Sequence, residues 1–512
     1  MRVEGKTTVK IEYGDFQTPT RLAKRVCCLL GRMGLQPASL VEPTCGTGSF
    51  VIAGLAHFPH ASKALAVDIN PEYVAELSRR LGTENDQEHV QVLQGDFFTL
   101  DWNVLLQDLP EPVLVIGNPP WVTNSVLGSL KSQNVPKKRN FLGLNGIDAI
   151  TGKSNFDVSE WMLMRIIDWF GKRRGAIAML CKTAVARKFL RFAWTNSYKI
   201  SEARIHRIDA DAHFGVTVDA CLLVCLLDDG AGSRTCKVFA SLEDEVERET
   251  IGISNKVLIA NEQLFRRWQH LQGESAFTWR SGMKHDCSSI MELTEIDSQL
   301  RNGLGEIVDI ESDLVFPLLK GSDLANGCKR KARKFVIVTQ KSMNDDTERI
   351  REMHPRTWSY LMAHADALDR RASAIYKNRP RFSVFGVGGY TFSPYKVGIS
   401  ALYKKLGFRA LGSVDGKPIV TDDTCNFIPC STAEEAHRIA ELLNSQVAKE
   451  FFNSFIFWDE KRPITVQVLK RLSIELLAAE VGGEHAAGAA LPLFAKEAPA
   501  DYLKSAGDRP RS

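Results

Sequence analysis

VLVIGNPPWV, residues 113–122, runs from four apolar residues through a glycine into an asparagine, two prolines and a tryptophan. Val113, Leu114, Val115 and Ile116 are β-formers with no polar alternation, the pattern of a strand covered on both faces. Gly117 and Asn118 end it. Pro119 and Pro120 fix two φ angles and remove two N–H donors, so the segment that leaves the strand is stiff, non-helical and rich in carbonyls. Open α/β sheets bind ligands at the carboxyl ends of their strands. There an asparagine amide, a fixed carbonyl and the Trp121 indole would make a polar corner beside a stacking surface. A planar group with an amino substituent fits that corner, two acceptors holding the amine hydrogens while the ring lies on the indole. The alternative is a structural turn whose tryptophan belongs to the core.

Working outward, apolar runs alternate with helical spacing from residue 38 to about 228. Strands are expected at 38–43, 63–69, 89–96, 113–120, 175–182, 203–209 and 219–228, and helices in TGSFVIAGLAHF, NPEYVAELSRRL, FDVSEWMLMRIIDWF and TAVARKFLRFAW. Strand and helix alternating at this pitch give an α/β fold with a doubly wound, mostly parallel, Rossmann-like seven-stranded sheet, its last strand hairpin-like. An extra helix in TRLAKRVCCLLGRM would pack through Leu22, Val26, Leu29, Leu30 and Met33. After about residue 230 the rhythm breaks, and residues 236–310 mix short strands, polar stretches and a helix. The expected organisation is a sheet domain over 1–235, a connecting region over 236–310, a mixed α+β domain over 311–480 ending in one helix at 464–480, and an Ala-, Gly- and Pro-rich tail over 481–512.

VEPTCGTGSF (41–50) follows the first strand, with glycines at 46 and 48 where the backbone must turn tightly and pass close to a ligand. It departs from the dinucleotide fingerprint: the third glycine is missing and Glu42 precedes the turn. A carboxylate there would repel a pyrophosphate but suits the sulfonium and ammonium of S-adenosylmethionine. Asp68 ends the second strand, where an acid would take ribose hydroxyls; a helix cap before NPEY is its plainer reading. Asp96, followed by Phe97, ends the third and would accept from an adenine amine.

The bulk composition bounds these readings. A chain of 512 residues, 44% hydrophobic and 25% charged, is long enough for two or three cores and has a globular balance. A net charge of +4 neither requires nor excludes nucleic acid. The eleven cysteines include no zinc-type CxxC pair, so no metal site is expected, and they suit a reducing compartment. With no leader and no apolar run of membrane length, a cytoplasmic protein without membrane contact is expected.

GDFQTPTRLAKRV (14–26), VEPTCGTGSF, AVDINPEY (66–73), QGDFF (94–98) and VIGNPPW together resemble the N6-adenine DNA methyltransferases of the gamma arrangement, the TaqI-like enzymes of bacterial restriction–modification systems. GKSNFDVSEWML (152–163), LCKTAVARKFLR (180–191) and FGVTVDACLLVC (214–225) extend the likeness through the sheet. The resemblance implies that Phe16, Thr18 and Pro19 border S-adenosylmethionine along with Glu42, Thr44, Cys45, Gly46, Gly48, Asp68, Ile69, Asp96, Phe97 and Asn118. It implies that Asn118 and the Pro119 carbonyl, stiffened by Pro120, accept from the amine of a flipped base. Trp121 would stack on that base where relatives commonly have tyrosine, and Phe156 would hold its other face. No covalent intermediate is needed, unlike the cytosine-C5 enzymes. Cytosine-N4 transfer uses nearly the same chemistry but comes with SPPY-like tetrapeptides, so adenine is favoured. RNA or protein methylation and a non-catalytic DNA-binding module remain as rivals.

Residues 371–405 hold seven Lys or Arg, no Asp or Glu and seven aromatics. Such strips suit a phosphate backbone with stacking near an extruded base. YKNRPRF and GGYTFSPYKV resemble the family's recognition regions, which makes Lys377, Arg379, Arg381, Tyr390, Tyr395 and Lys396 candidates for contact with double-stranded DNA. KRKARK (329–334) is either a second basic contact or a solvated turn. A fused nuclease is not expected; a separate cognate endonuclease would be the partner of a monomeric or weakly dimeric methylase.

Overall fold

The computed structural model describes residues 16–82, 89–122, 157–171, 173–228, 230, 232–327 and 334–483. The chain forms two compact units, Met1–Gln263 and Leu264–Ser512. Among the described residues no helix is long and apolar enough to cross a membrane.

In the first unit all seven strands read from the sequence are present: β1 (Ser39–Glu42), β2 (Lys63–Asp68), β3 (Val90–Gln94), β4 (Val113–Gly117), β5 (Gly175–Lys182), β6 (Glu202–Ile208) and β7 (Ala220–Leu227). β1, β4, β5 and β7 are buried along nearly their whole length, which is why they carry no polar alternation. β7 runs antiparallel between β5 and β6. Residues 209–219, with a single five-residue helix, are too few for the crossover that a parallel return needs. The sheet does not stop at seven strands. β8 (Thr235–Phe239), β9 (Glu249–Ser254) and β10 (Val257–Ile259) extend it past β6, giving the order β10-β9-β8-β6-β7-β5-β4-β1-β2-β3. These three fall at and beyond residue 235, in the connecting region whose short strands the sequence does not assign to the sheet. They bury Cys236, Val238, Phe239, Ile251 and Ile259 by pairing at the sheet edge, a long-range contact with no local signature. The helix Thr20–Arg32 packs through Leu22, Val26, Leu29 and Leu30, with Met33 half-buried behind them.

The second unit begins well before residue 311. β11 (Arg280–Ser281), β12 (Glu292–Ile296) and β13 (Gln299–Asn302) join sheets whose other strands are β14 (Val315–Leu319), β15 (Lys334–Ile337), β16 (Tyr395–Ser400), β17 (Arg409–Leu411), β18 (Val420–Thr421) and β19 (Cys425–Cys430). The orders are β11-β19-β16-β17 and β13-β12-β15-β14-β18. The single helix expected over 464–480 is two, Val466–Leu469 and Ile474–Gly483. Ser473 divides them: its N–H donates to Leu271 O at 3.0 Å and its Oγ accepts from Leu476 N at 3.3 Å, which starts a new helix in place of continuing the old one. Of KRKARK only Lys334 is among the described residues, at the start of β15; the remainder of that cluster and the tail from 484 lie outside them.

Lys396 corrects the sequence reading directly. It sits on β16 between β17 and β19, is 1% exposed, and has no path to a phosphate. Its Nζ donates to Ser393 O at 2.7 Å and to Ile419 O at 2.8 Å, 5.7 Å from the centre of the Phe427 ring. Burial lowers its pKa from the ordinary 10.5 to about 8. The unfolded chain then holds this proton more tightly than the folded one, so the contribution of Lys396 to stability rises from about pH 8 to about pH 10. Denaturant unfolding at pH 7 and pH 9.5 should show wild type gaining about 1–2 kcal/mol on Lys396→Met over that span. A difference independent of pH would show that Lys396 does not titrate there.

Candidate active site

β1 has β2 on one side and β4 on the other, so the strand order reverses at β1 and a crevice opens at the carboxyl ends. A cleft enclosing about 1040 Å³, mouth included, lies there. Glu42 ends β1, Asp68 ends β2, Asp96 follows β3 and Asn118 follows β4; all four line the cleft.

The glycine turn is built against the N-terminal segment. Gly46 has φ +48°, and a Cβ there would stand 2.5 Å from Gln17 Oε1. Gln17 Oε1 in turn accepts from Thr47 N at 3.0 Å and from Thr47 Oγ1 at 3.2 Å. Gly48, at φ +81°, precedes the helix Ser49–His57, and a Cβ on it would strike Leu77 Cδ1 at 2.1 Å. Asp68 is not the helix cap. Its Oδ2 accepts from Gly46 N at 2.7 Å and its Oδ1 from Asn70 N at 2.9 Å, while Asn70 itself caps the helix Pro71–Leu81 by accepting from Glu72 N at 2.9 Å. Asp68 thus ties the turn to the second strand and faces the cleft. Thr44 Oγ1 is buried and has no hydrogen-bond partner among the described residues.

Glu42 is 2% exposed, and its Oε2 accepts from Val51 N at 2.9 Å in the first turn of the following helix. Burial, reinforced by the charge of Asp68, pushes its pKa well above the usual carboxylate range, although the Val51 and Phe50 amides oppose the shift. The sequence suggests an open charge at Glu42. The structure makes it a buried acid on the cleft wall. Asp96 Oδ1 accepts from Phe98 N at 2.9 Å. Phe97 is 6% exposed and anchored among Phe98, Trp102 and Trp169, with ring centres 5.1, 5.4 and 5.5 Å away.

The Asn118 amide has a defined orientation. Its Nδ2 donates to Phe16 O at 3.0 Å, and because a carbonyl only accepts, this bond assigns nitrogen and oxygen. Oδ1 is buried and without a partner among the described residues. An orphaned buried acceptor costs about 1–3 kcal/mol, an expense that functional sites carry when a ligand completes the bond. Trp121 departs from expectation. It is 6% exposed, its Nε1 donates to Leu180 O at 3.4 Å, and its ring packs on Phe214 at 5.1 Å and Phe16 at 6.1 Å. Its ring belongs to the hydrophobic core and not to the cleft lining, so it offers no stacking face in this arrangement.

Of the residues expected around a cofactor and an amine, Phe16, Thr18, Glu42, Thr44, Cys45, Gly46, Asp68, Ile69, Asp96, Phe97, Asn118 and Pro120 line the cleft. Pro19, Gly48, Pro119 and Trp121 are not part of the lining: Pro19 accepts from Leu22 N and Ala23 N to start its helix, and Pro119 is buried between the lining residues Asn118 and Pro120. Phe156 lies outside the described residues. Gln17, Asn70, Tyr73, Phe98, Val158 and Met162 also line the cleft. All six stand inside the quoted motifs, Val158 and Met162 within GKSNFDVSEWML, although the sequence singles out none of them as a site residue.

In the second unit the basic strip is not one surface. Lys377 and Arg379 are exposed, Arg379 donating to Asn344 Oδ1 at 2.8 Å. Arg381 is engaged by Asp369 at 2.7 Å, Tyr390 lies half-buried under the Arg280 guanidinium at 4.6 Å, and Tyr395 is half-buried at the head of β16. Arg371 points inward, donating to Ser383 O at 2.7 Å.

No family model matches the chain. It is 45% identical over 470 residues, 92% of its length and 98% of the relative's, to the type II methyltransferase M.NspV of Nostoc sp.. A shorter match, 34% identical over 110 residues, covers 22% of this chain and 25% of the type II methyltransferase M.CvrRI of Paramecium bursaria Chlorella virus XZ-6E. Among solved structures, the type IIL restriction-modification enzyme MmeI in complex with DNA superposes with a TM-score of 0.53 at 12% identity, over 92% of this chain and 67% of that one. At that identity the likeness is one of fold, and it spans the methyltransferase sheet and the mixed α+β part together. Near-complete coverage at 45% identity, on a sheet whose acidic strand ends and Asn-Pro-Pro-Trp turn converge on one cleft, shows that the chain belongs to the type II methyltransferases.

Proposed function

We propose that the protein transfers a methyl group from S-adenosylmethionine to the N6 amine of an adenine flipped out of duplex DNA, as the modification component of a restriction–modification system. The observation that carries this reading is Asn118 Oδ1, a buried acceptor without a partner among the described residues, oriented by Phe16 O in the same cleft as three carboxylic side chains. An exocyclic amine is a poor nucleophile because its lone pair is delocalised into the ring. Asn118 Oδ1 and the Pro119 carbonyl would each take one N–H, draw the nitrogen toward tetrahedral geometry and stabilise the positive charge it gains, the sign-reversed counterpart of an oxyanion hole. S-adenosylmethionine, when bound, supplies a methyl group on a cationic sulfur. Thr44, Glu42 and the Gly46 turn would hold its charged end, Asp68 its ribose hydroxyls, and Asp96 with Phe97 and Phe98 its adenine. Of the candidate DNA contacts at Lys377, Arg379, Arg381, Tyr390, Tyr395 and Lys396, Lys377 and Arg379 are the exposed cations not paired with a carboxylate, and they would meet DNA phosphates. A separate endonuclease partner, a bacterial cytoplasmic setting and a monomer or weak dimer complete the reading, on the strength of the TaqI-like resemblance.

Labelled S-adenosylmethionine incubated with duplex DNA, followed by mapping of the product, tests the reaction; N4-methylcytosine or labelled RNA would replace it. Asn118→Ala should cut kcat/KM at least 100-fold while donor affinity persists. Retention of more than about a tenth of the activity, a loss under roughly 1.4 kcal/mol, would falsify the two-acceptor role.

Glu42 gives a pH signature. Burial first, and then the charge of Asp68, shifts Glu42 toward its acid form, whereas a cationic donor seated nearby favours the ionised form. Binding should therefore release a proton, and donor affinity should climb as pH rises from the ordinary carboxylate range, about 4.3, toward the raised value in the free protein, then level off. Calorimetry in two buffers of different ionisation enthalpy should give different apparent enthalpies for wild type and equal ones for Glu42→Gln. Equal enthalpies for wild type at every pH would refute the coupling. Removing Lys377 or Arg379 should weaken specific and scrambled duplexes alike and flatten the salt slope by about one for each phosphate no longer neutralised. An unchanged slope in both alanine variants would move the DNA-contacting surface elsewhere.

A further inference from the structure

β4 ends at Gly117, opposite Met179 of β5, but β5 continues through Leu180 and Cys181 to Lys182. This overhang runs beside the Asn-Pro-Pro-Trp turn and grips its last residue twice. Leu180 O accepts from Trp121 Nε1 at 3.4 Å, and Lys182 Nζ donates to Trp121 O at 3.0 Å. The same Nζ lies 2.7 Å from Asp157 Oδ2, whose side chain is 7% exposed. Asp157 is itself immobilised, because its Oδ1 accepts from the Ser159 N–H and hydroxyl at the head of the helix Val158–Phe170. One residue further on, Val158 N donates to Val122 O at 2.9 Å, and both valines line the cleft.

We infer that Lys182, held by Asp157, is a positioning residue for methyl transfer, fixing the exit of the Asn118–Trp121 turn so that Asn118 Oδ1 and the Pro119 carbonyl stay aimed at the amine. The need follows from the turn itself. Pro119 and Pro120 have no N–H, so two of its four residues cannot be tied down through their own amides, and the carbonyls must be held by donors from outside. Phe16 O fixes the entry through Asn118 Nδ2; Lys182 fixes the exit through Trp121 O. Lys182 touches no reacting group in this scheme and acts through the backbone it holds.

The inference rests on the proposed reaction, and the test separates the two. Full-length wild type, Lys182→Met, Lys182→Arg and Asp157→Asn are compared on one duplex with labelled S-adenosylmethionine, measuring the single-turnover rate, KM for duplex, donor affinity and melting temperature. A displacement of the order of 1 Å at reacting groups costs about 100-fold, so Lys182→Met should lose about 10- to 100-fold in single-turnover rate while duplex KM and donor affinity stay within about threefold. Lys182→Arg, which keeps a charged donor, should recover at least about a third of the wild-type rate. Asp157→Asn keeps the Trp121 contact but removes its counter-charge, and should lose about 3- to 10-fold. A folded Lys182→Met with a rate within twofold of wild type overturns the inference, as does a lower melting temperature with unchanged rate. If Lys182→Met does not fold, a full rate in Asp157→Asn overturns it and a reduced rate with donor affinity intact supports it. Wild type that methylates no adenine overturns the reaction and this role together; active wild type beside unimpaired variants overturns this role alone.

Discussion

Two consecutive prolines cannot donate a backbone hydrogen bond, and the active end of the first unit is arranged around that deficit. A turn made of Asn118, Pro119, Pro120 and Trp121 is stiff in φ yet poorly anchored through its own amides. Its position is set by side chains and by neighbouring backbone: the Asn118 amide on Phe16 O, the Trp121 indole on Leu180 O and against Phe214, and the Trp121 carbonyl on Lys182. Held at both ends, the turn leaves one acceptor, Asn118 Oδ1, buried without a partner among the described residues. The anchoring and the orphan belong together. An acceptor that must wait for a substrate amine has to be kept from relaxing toward the nearest donor.

The same economy of donors governs the glycine turn. Gly46 N and Asn70 N are both committed to Asp68, and Val51 N to Glu42, so the two carboxyl groups are oriented by backbone before any ligand arrives. Their environments differ in a way that divides their roles. Asp68 is half-buried and engages amides with both oxygens, while Glu42 is buried and pushed toward the neutral acid by burial and by the neighbouring carboxylate. Two negative charges at adjoining strand ends repel each other, and the neighbouring Asp68 charge is one cause of the raised Glu42 pKa. The shift of Glu42 toward its acid form lessens that repulsion, and a cation in the cleft would push it back.

Much of this was legible in the sequence because it is written locally. Continuous apolar runs mark β1, β4, β5 and β7, and acidic residues at strand ends mark the crevice, since a doubly wound sheet brings those ends together whatever the details of its loops. What was not legible depends on contacts between distant segments. The sequence pattern of 113–122 allowed Trp121 to face a ligand or the core, and only the positions of Phe214 and Leu180 decide for the core. Gln17 reads as a polar residue in a loop until Thr47 is found against it. β8 to β10 are short and amphipathic, and their membership of the sheet follows from the free edge of β6, not from their own composition. The helix split at Ser473 likewise depends on Leu271, some two hundred residues away.

The basic strip shows where composition misleads. A count of charges over 371–405 treats every Lys and Arg as a surface group, but long cationic side chains are also the chain's most versatile donors to carbonyls that no backbone amide reaches. Lys396 satisfies Ser393 and Ile419 from inside the sheet, and Arg371 satisfies Ser383 while its guanidinium lies 3.8 Å from the centre of the Tyr376 ring. Irregular backbone between residues 371 and 394 has few ladder partners, so it recruits side-chain donors from its own sequence, and a run rich in Arg and Lys is what such a segment needs in order to pack at all. The part of the charge left for a polyanion is the part not consumed this way: Lys377, Lys404 and Lys405 are exposed, and Arg379 is exposed beside a neutral amide instead of a carboxylate. Recognition and folding therefore compete for the same residues, and it is the local supply of backbone partners that decides which cations remain on the surface.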